Sequence, residues 1–225
     1  MIEVKQLTRS FKDGDREIQV LKGIDLRVED GEFIVIMGRS GAGKSTLLYQ
    51  ISLLDHPTSG EIIIDNVSAN TLQGETRTKF RLMHFGYVFQ DYALLPELTA
   101  LDNVVLPLLM QNMEPKKAYA RSVEMLTKVG LQHRLDSIPS KMSGGEQQRV
   151  SIARAIVHHP KILFADEPTA NLDNESSEGV MKIFQELNKE GQTIIMVTHE
   201  EMYAKMAKKM IKIDDGKIVS TKNIT

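Results

Sequence analysis

Apolar residues recur with two different periods along the 225-residue chain. Near the N-terminus they alternate with polar ones: Ile2, Val4 and Leu7, then Val20, Ile24, Leu26 and Val28, are spaced like half-buried strands. Glu32-Phe33-Ile34-Val35-Ile36-Met37 is a continuous apolar run, suited to a strand covered on both faces, and it stops at Gly38. Beyond a glycine-rich turn the period changes. Leu47, Leu48, Ile51 and Leu54 fall on one helical face, with Pro57 and Gly60 placed to end it. Glu61-Ile62-Ile63-Ile64 predicts a strand that turns at Asp65-Asn66, and Phe85-Gly86-Tyr87-Val88-Phe89 predicts another.

From about Leu98 to Pro160 only helical patterns occur. Tyr119, Val123, Leu126 and Val129 keep a 3-4-3 spacing with Gly130 as C-cap, and a further helix starts near Gly144 and ends before Pro160. Strands then return. Lys161-Ile162-Leu163-Phe164-Ala165 and Gln192-Thr193-Ile194-Ile195-Met196-Val197 are buried strands, separated by a helix carrying Val180, Ile183, Phe184 and Leu187 and stopped by Gly191. Met210 to Ile213, Asp214-Asp215-Gly216 and Lys217 to Val219 read as a hairpin. Strands alternating with helices imply an α/β fold with a parallel sheet. The expected organisation is one domain, with core segments 1–90 and 160–225 and a helical insertion over about 91–159.

Composition changes this picture little. Hydrophobic content of 41% and charged content of 26% are ordinary for a globular chain. A net charge of -2, with 28 basic and 30 acidic residues, indicates no nucleic-acid partner. Lys208-Lys209 reads as a solvated face. The chain has no cysteine, which removes disulfides, thiol catalysis and cysteine-based zinc sites. Met1-Ile2-Glu3-Val4-Lys5 lacks the apolar core of a signal peptide. The best candidate for a membrane segment, Val104 to Met110, is short and contains Pro107. A membrane role is therefore expected through a partner. Among the histidines, His158 and His159 are adjacent and point to different sides of a helix, so no histidine metal set is expected.

Gly38-Arg39-Ser40-Gly41-Ala42-Gly43-Lys44-Ser45 fits the phosphate-binding pattern G-x-x-x-x-G-K-[ST] in full, between an apolar strand and an amphipathic helix. Glycines let backbone N–H groups curl around phosphate oxygens, and the helix N-terminus favours negative charge. Lys44 reaches the β- and γ-phosphates, Ser45 holds Mg²⁺ and Thr46 bonds the α-phosphate. Asp166 emerges at the C-terminal end of a buried strand, where an aspartate can hold Mg²⁺ or simply cap the next helix. Glu167 beside it can polarise an attacking water or serve as a turn residue. His199, after Val197-Thr198, can touch the γ-phosphate or play a structural part.

A GTPase would show Asn-Lys-x-Asp; Asn188-Lys189-Glu190-Gly191 lacks the aspartate. A small-molecule kinase would show a basic lid, and none is apparent. Neither class explains Met142-Ser143-Gly144-Gly145-Glu146-Gln147-Gln148-Arg149, a second glycine-led helix start. This stretch resembles the signature loop of ABC transporter nucleotide-binding subunits. Gln90 resembles the Q-loop glutamine, Ala170-Asn171-Leu172-Asp173 the D-loop, His199 the switch histidine, and Phe11 the aromatic that stacks on adenine. Gln90 to Pro96, Ser143 to Val150 and Asp166 to Asp173 look like the MacB/LolD subfamily. Met142, Phe11 and Glu146 stand where the family more often has Leu, Tyr and Gln.

The resemblance implies a P-loop NTPase fold with a mixed, RecA-like core sheet, an N-terminal antiparallel β region and an inserted helical subdomain. It implies an ATPase using ATP and Mg²⁺. Gly38, Arg39, Ser40, Gly41, Ala42, Gly43, Lys44, Ser45 and Thr46 would hold ATP together with Phe11. Ser45, Gln90 and Asp166 would hold Mg²⁺. Glu167, His199, Lys44 and Gln90 would be catalytic. A second copy, head to tail, would contribute Ser143, Gly144, Gly145 and Glu146 across an ATP sandwich, with Asp173 coupling the two sites. The other partner implied is an integral membrane permease, which would seat on Tyr92-Ala93-Leu94-Leu95-Pro96. That places the chain on the cytoplasmic face of the cell's inner membrane, in an exporter or a lipoprotein- or peptide-handling system. A non-transporting regulatory or mechanotransmission role in cell division or peptide sensing is the alternative.

Overall fold

Two long antiparallel strands open the computed structural model, which describes residues 1–14 and 16–224. β1 (Ile2–Asp13) and β2 (Arg16–Val28) precede β3 (Phe33–Met37), α1 (Lys44–Ile51), β4 (Ser59–Ile64), β5 (Val67–Ser68) and α2 (Gly74–His84). β6 (Phe85–Val88), α3 (Ala100–Met110), α4 (Pro115–Lys128), α5 (Gly144–Ile156), β7 (Ile162–Asp166) and α6 (Asn174–Lys189) follow. Then come β8 (Thr193–Val197), the short α7 (Glu201–Ala204), β9 (Lys209–Asp214) and β10 (Lys217–Asn223). The chain divides into two compact units, Met1–Arg81 with Gly191–Thr225 and Leu82–Glu190.

In the first unit, β1 pairs antiparallel with β2 and β4 in a four-stranded sheet ordered β2-β1-β4-β5. Ile2 lies opposite Val28 and Ile64, and Val4 opposite Leu26 and Ile62, so their side chains share one buried face. The next core residue is Leu7, not residue 6, because the register slips after Val4 and Gln6 takes a left-handed φ of 47°. This bulge explains the uneven 2-4-7 spacing. Its amide donates to Asp25 Oδ1 at 2.8 Å. Gly60 sits against it: a Cβ there would fall 2.5 Å from the Gln6 carbonyl oxygen. The turn expected at Asp65-Asn66 has φ of 48° and 64°, matching a two-residue hairpin turn.

A second, mixed sheet carries β3 between β8 and β9, parallel to both, with β10 antiparallel to β9. Phe33, Ile34, Val35 and Ile36 are all buried, as a strand covered on both faces requires. Each such side chain contributes about 1.5–3 kcal/mol on burial. Lys209, expected on a solvated face, is instead half-buried and pairs with Glu32 at 2.6 Å.

α1 ends at Ile51, one turn earlier than its apolar spacing suggests. Leu53 takes φ 60°, its N–H donates to Gln50 O, and Leu54 N–H donates to Tyr49 O. That closing pattern is a Schellman motif built on leucine rather than glycine. Leu53 turns into the core while Leu54 is 44% exposed. Arg77 of α2 stabilises the turn, its Nε donating to Leu53 O at 3.1 Å. The hydrophobic pattern does not announce α2, because its buried side chain is Arg77 and it has no apolar stripe.

The second unit has the three helices expected in the middle of the chain. α3 is capped by the Thr99 side chain, which accepts from Asp102 N, and α4 ends at Lys128 with Gly130 at φ 78°. β6 and β7 run parallel. Phe85 and Phe164 meet edge to face across them, with centroids 5.1 Å apart. α5 and α6 carry buried rows including Val150, Ile152 and Ala153, and Val180, Phe184 and Leu187.

Candidate functional site

Two helices begin at glycine-rich loops, and their first turns are built in opposite ways. In the first unit, residues 38–43 connect β3 to α1. Gly43 is the N-cap of α1 with φ 100° and offers no side-chain cap, and the first turn holds no acidic residue. The first N–H groups of a helix lack intrahelical partners, so this end favours an anion. Gly38 admits no side chain, since a Cβ would lie 2.3 Å from the Ile213 carbonyl oxygen. Lys44 is only 7% exposed, and its Nζ donates to the Arg39 carbonyl at 3.2 Å, bending back over the loop. Arg39, Ser40 and Gly41 are exposed, while Ser45 and Thr46 are half-buried.

His199 follows β8 and is exposed. It lines a cavity of about 380 Å³ together with Gly38, Arg39, Lys212 and Asp214, so the fold brings the histidine to the entrance of the glycine loop. Phe11 lies on β1, 42% exposed, with the Arg9 guanidinium 4.4 Å from its ring centroid. A ring stacked on one side by a cation keeps its other face for a partner.

In the second unit, β7 ends at Asp166, a carboxylate that is 5% exposed. Glu167 comes next with φ 44°, a left-handed conformation that costs a non-glycine residue of order 1 kcal/mol. Held strain of this kind clusters at functional positions. Asp173 caps α6: its Oδ1 accepts the Ser176 N–H at 2.9 Å and its Oδ2 the Ser176 hydroxyl at 2.8 Å. Those two bonds hold the Asp173 carboxyl below its ordinary value.

Gln90 lies just past β6 and is exposed; its carbonyl accepts the Asn171 side-chain amide at 3.0 Å. Tyr92 and Ala93 both take positive φ, and Arg154 grips their carbonyls at 3.0 and 2.7 Å. Burial lowers the Arg154 guanidinium. The Tyr92 hydroxyl reaches toward the Asn171 carbonyl and would meet a Cβ on Gly144 at 2.8 Å. Residues 90–93, Asn171 and the start of α5 therefore form one local assembly. Ala93, Leu95 and Pro96 are exposed beside it.

α5 starts at Ser143, and its first turn is capped by side chains. The Ser143 hydroxyl accepts the Glu146 N–H at 3.2 Å, and Glu146 Oε2 accepts the Ser143 N–H at 2.8 Å. This is a capping box. Gly145 lets α5 approach α6, because a Cβ would lie 2.6 Å from Ser176 Oγ. Glu146 is turned inward, and its Oε1 accepts from Arg134 Nε at 2.8 Å. Burial alone would raise the Glu146 carboxyl, but the Ser143 amide and the Arg134 guanidinium outweigh it and hold it below its ordinary value. Neither Arg134 nor Arg154 stands out in the sequence; their roles are visible only once their partners are placed.

Comparisons with known proteins bear on the family and the fold. The family described as "ABC transporter" matches residues 21–170. An uncharacterized ABC transporter ATP-binding protein, MJ1508 of Methanocaldococcus jannaschii, is 46% identical over 99% of this chain and 100% of its own length. The macrolide export ATP-binding/permease protein MacB of Marinobacter nauticus is 44% identical over 97% of this chain, which spans only 34% of that protein. Among solved structures, a dimeric post-hydrolysis state of the ATP-binding cassette MJ0796 bound to ADP and phosphate superposes with a TM-score of 0.94 at 39% identity, covering 100% of this chain and 99% of that one.

Proposed function

The chain belongs to the ABC transporter family as an ATP-binding and ATP-hydrolysing subunit, and from that premise we propose that two copies close head to tail on ATP to drive a separate membrane subunit of exporter type. The observation that carries this reading is the contrast between the two glycine-led helices. The α1 end is bare and basic, fit to hold phosphates by itself. The α5 end is already capped. A half-site with only a few donors to give contributes most when a phosphate is brought to it on another copy.

In this reading Gly38 to Thr46 cradle the phosphates, Lys44 leaves the Arg39 carbonyl for the β- and γ-phosphates, and Phe11 offers its open face to adenine. Ser45, Gln90 and Asp166 would hold Mg²⁺, a set of hydroxyl, amide and carboxylate oxygens that suits a hard cation. Bound there, magnesium would supply positive charge to offset the negative charge developing on the phosphates. Glu167 takes up the proton of the attacking water, and His199 orients toward the γ-phosphate. In trans, Ser143 donates its hydroxyl proton and Gly144 and Gly145 their N–H groups, while Glu146 acts behind them. Asp173, at the head of α6, couples the two sites.

The exposed Ala93, Leu95 and Pro96 offer an apolar seat for a membrane subunit. Among the described residues no helix is long and apolar enough to cross a membrane. Attachment to a permease at the cytoplasmic face of the membrane follows from the proposal, as the permease portion in the names of the MacB relatives supports. Phosphate release by wild type and Lys44→Ala tests the site: turnover should fall at least about a hundredfold. Undiminished turnover contradicts the placement of the phosphate cradle.

A further inference from the structure

A carboxylate stands three residues from the hydroxyl that is to receive a phosphate. Glu146 is in the first turn of α5 with a side chain 11% exposed. Left alone, its charge would oppose an incoming γ-phosphate and cancel the favourable end of the helix dipole. Arg134 lies in the connector between α4 and α5, and its Nε meets Glu146 Oε1 at 2.8 Å. With Oε2 on the Ser143 N–H, both carboxylate oxygens are engaged.

The connector is itself fixed. The Leu135 and Ser137 carbonyls accept the Leu101 and Ala100 N–H groups at 3.0 and 2.8 Å, at the head of α3. The Arg134 N–H donates to Leu131 O, and its carbonyl accepts from Ser137 N, both at 2.9 Å. The fully buried Asn103 side chain then ties the first turn of α3 to the Leu95 and Leu98 carbonyls. The guanidinium is thus presented by a braced loop.

We infer that Arg134 is a positioning residue for the α5 half-site: it neutralises Glu146 and locks its carboxylate so that the Ser143 backbone and hydroxyl are held in place for the phosphate. This rests on the reading of α5 as the trans-acting half-site. The Ser143 hydroxyl accepts from Glu146 N and also hydrogen-bonds the Glu146 carboxylate, so the position of the carboxylate sets that of the hydroxyl. Without Arg134, Glu146 becomes a nearly buried charge held by Ser143 alone, with the exposed His133 ring 3.8 Å from Oε1, and it relaxes outward or repels the phosphate. Glutamine at 146 removes the charge and still accepts the Ser143 N–H.

The test is a cycle of Arg134→Ala, Glu146→Gln and the double variant in the full chain, scored by ATP hydrolysis and by binding of a fluorescent ATP analogue to the single copy. Arg134→Ala should lower kcat about tenfold. Analogue affinity should be unchanged, and the double variant should recover most of the loss. Arg134→Gln, which keeps the stem, replaces Arg134→Ala if that variant does not fold, with the same expectation. Full activity in the Arg134 variant, or a loss that Glu146→Gln does not relieve, overturns the inference. A wild-type chain without ATP hydrolysis would instead strike the proposed function itself.

Discussion

The helix starts at Gly43 and Ser143 share a glycine-rich approach and differ in almost everything else. The first has a glycine N-cap, no acidic residue in its first turn, and a buried lysine folded over the loop. The second has a serine cap, a glutamate three residues on, and an arginine to neutralise that glutamate. The first is an incomplete structure that an anion completes. The second is complete, and can only add a few donors to an anion held elsewhere. In the proposed reading the same local motif serves as a phosphate cradle in one place and as a trans-acting half-site in the other, and the difference lies in what caps the N-terminal N–H groups.

The glycines sharpen that contrast. Gly38→Ala forces a Cβ against a carbonyl of the backbone, 2.3 Å away at Ile213. Because backbone cannot step aside, thermal or urea unfolding should show a loss of about 2–3 kcal/mol. Gly145→Ala meets Ser176 Oγ at 2.6 Å and Ser176 Cβ at 2.8 Å, atoms of a side chain on a neighbouring helix that can shift away, rather than backbone. It should cost about 1 kcal/mol, while turnover falls more than stability does, because α5 shifts. Equal costs for the two would undo the distinction between a cradle set in backbone and one set on side chains.

A smaller effect is read by pH. The Glu146 carboxyl is held below its ordinary value of 4.5 by Ser143 and Arg134 against the opposing pull of burial. A depressed carboxylate adds stability above its unfolded-state value, and that stability is lost as pH falls through its folded-state value. The stability margin of wild type over Glu146→Gln should therefore be present at neutral pH and close below about pH 4.5. A margin that persists at lower pH would mean that charge is not what holds this corner.

Much of this was legible in the sequence, for physical reasons. β3, β7 and β8 are unbroken apolar runs because they are covered on both faces, and glycine patterns mark both helix starts since backbone or a neighbouring helix comes close at Gly38 and Gly145. What stayed hidden depends on polar residues working at a distance. α2 buries Arg77 in place of an apolar stripe. α1 stops on Leu53 in a conformation that leucine rarely takes. Glu146 was expected to face the nucleotide, yet its carboxylate lies inward on Arg134 and Ser143. Spacing places a residue on a helix turn; which way a charged side chain leans is decided by a partner twelve residues away.

The account stands or falls on whether the α5 start is half of a site completed by another copy. The most direct measurement is the mass in solution of Glu167→Gln, by light scattering after gel filtration, with and without ATP and Mg²⁺. Removing the carboxylate proposed to take up the water's proton should leave ATP binding intact and trap the closed pair, so the protein should run at 25.3 kDa without nucleotide and at twice that mass with it. The same protein carrying Ser143→Arg should stay at the single mass in both conditions. A Glu167→Gln protein that binds ATP and remains at the single mass would contradict the claim.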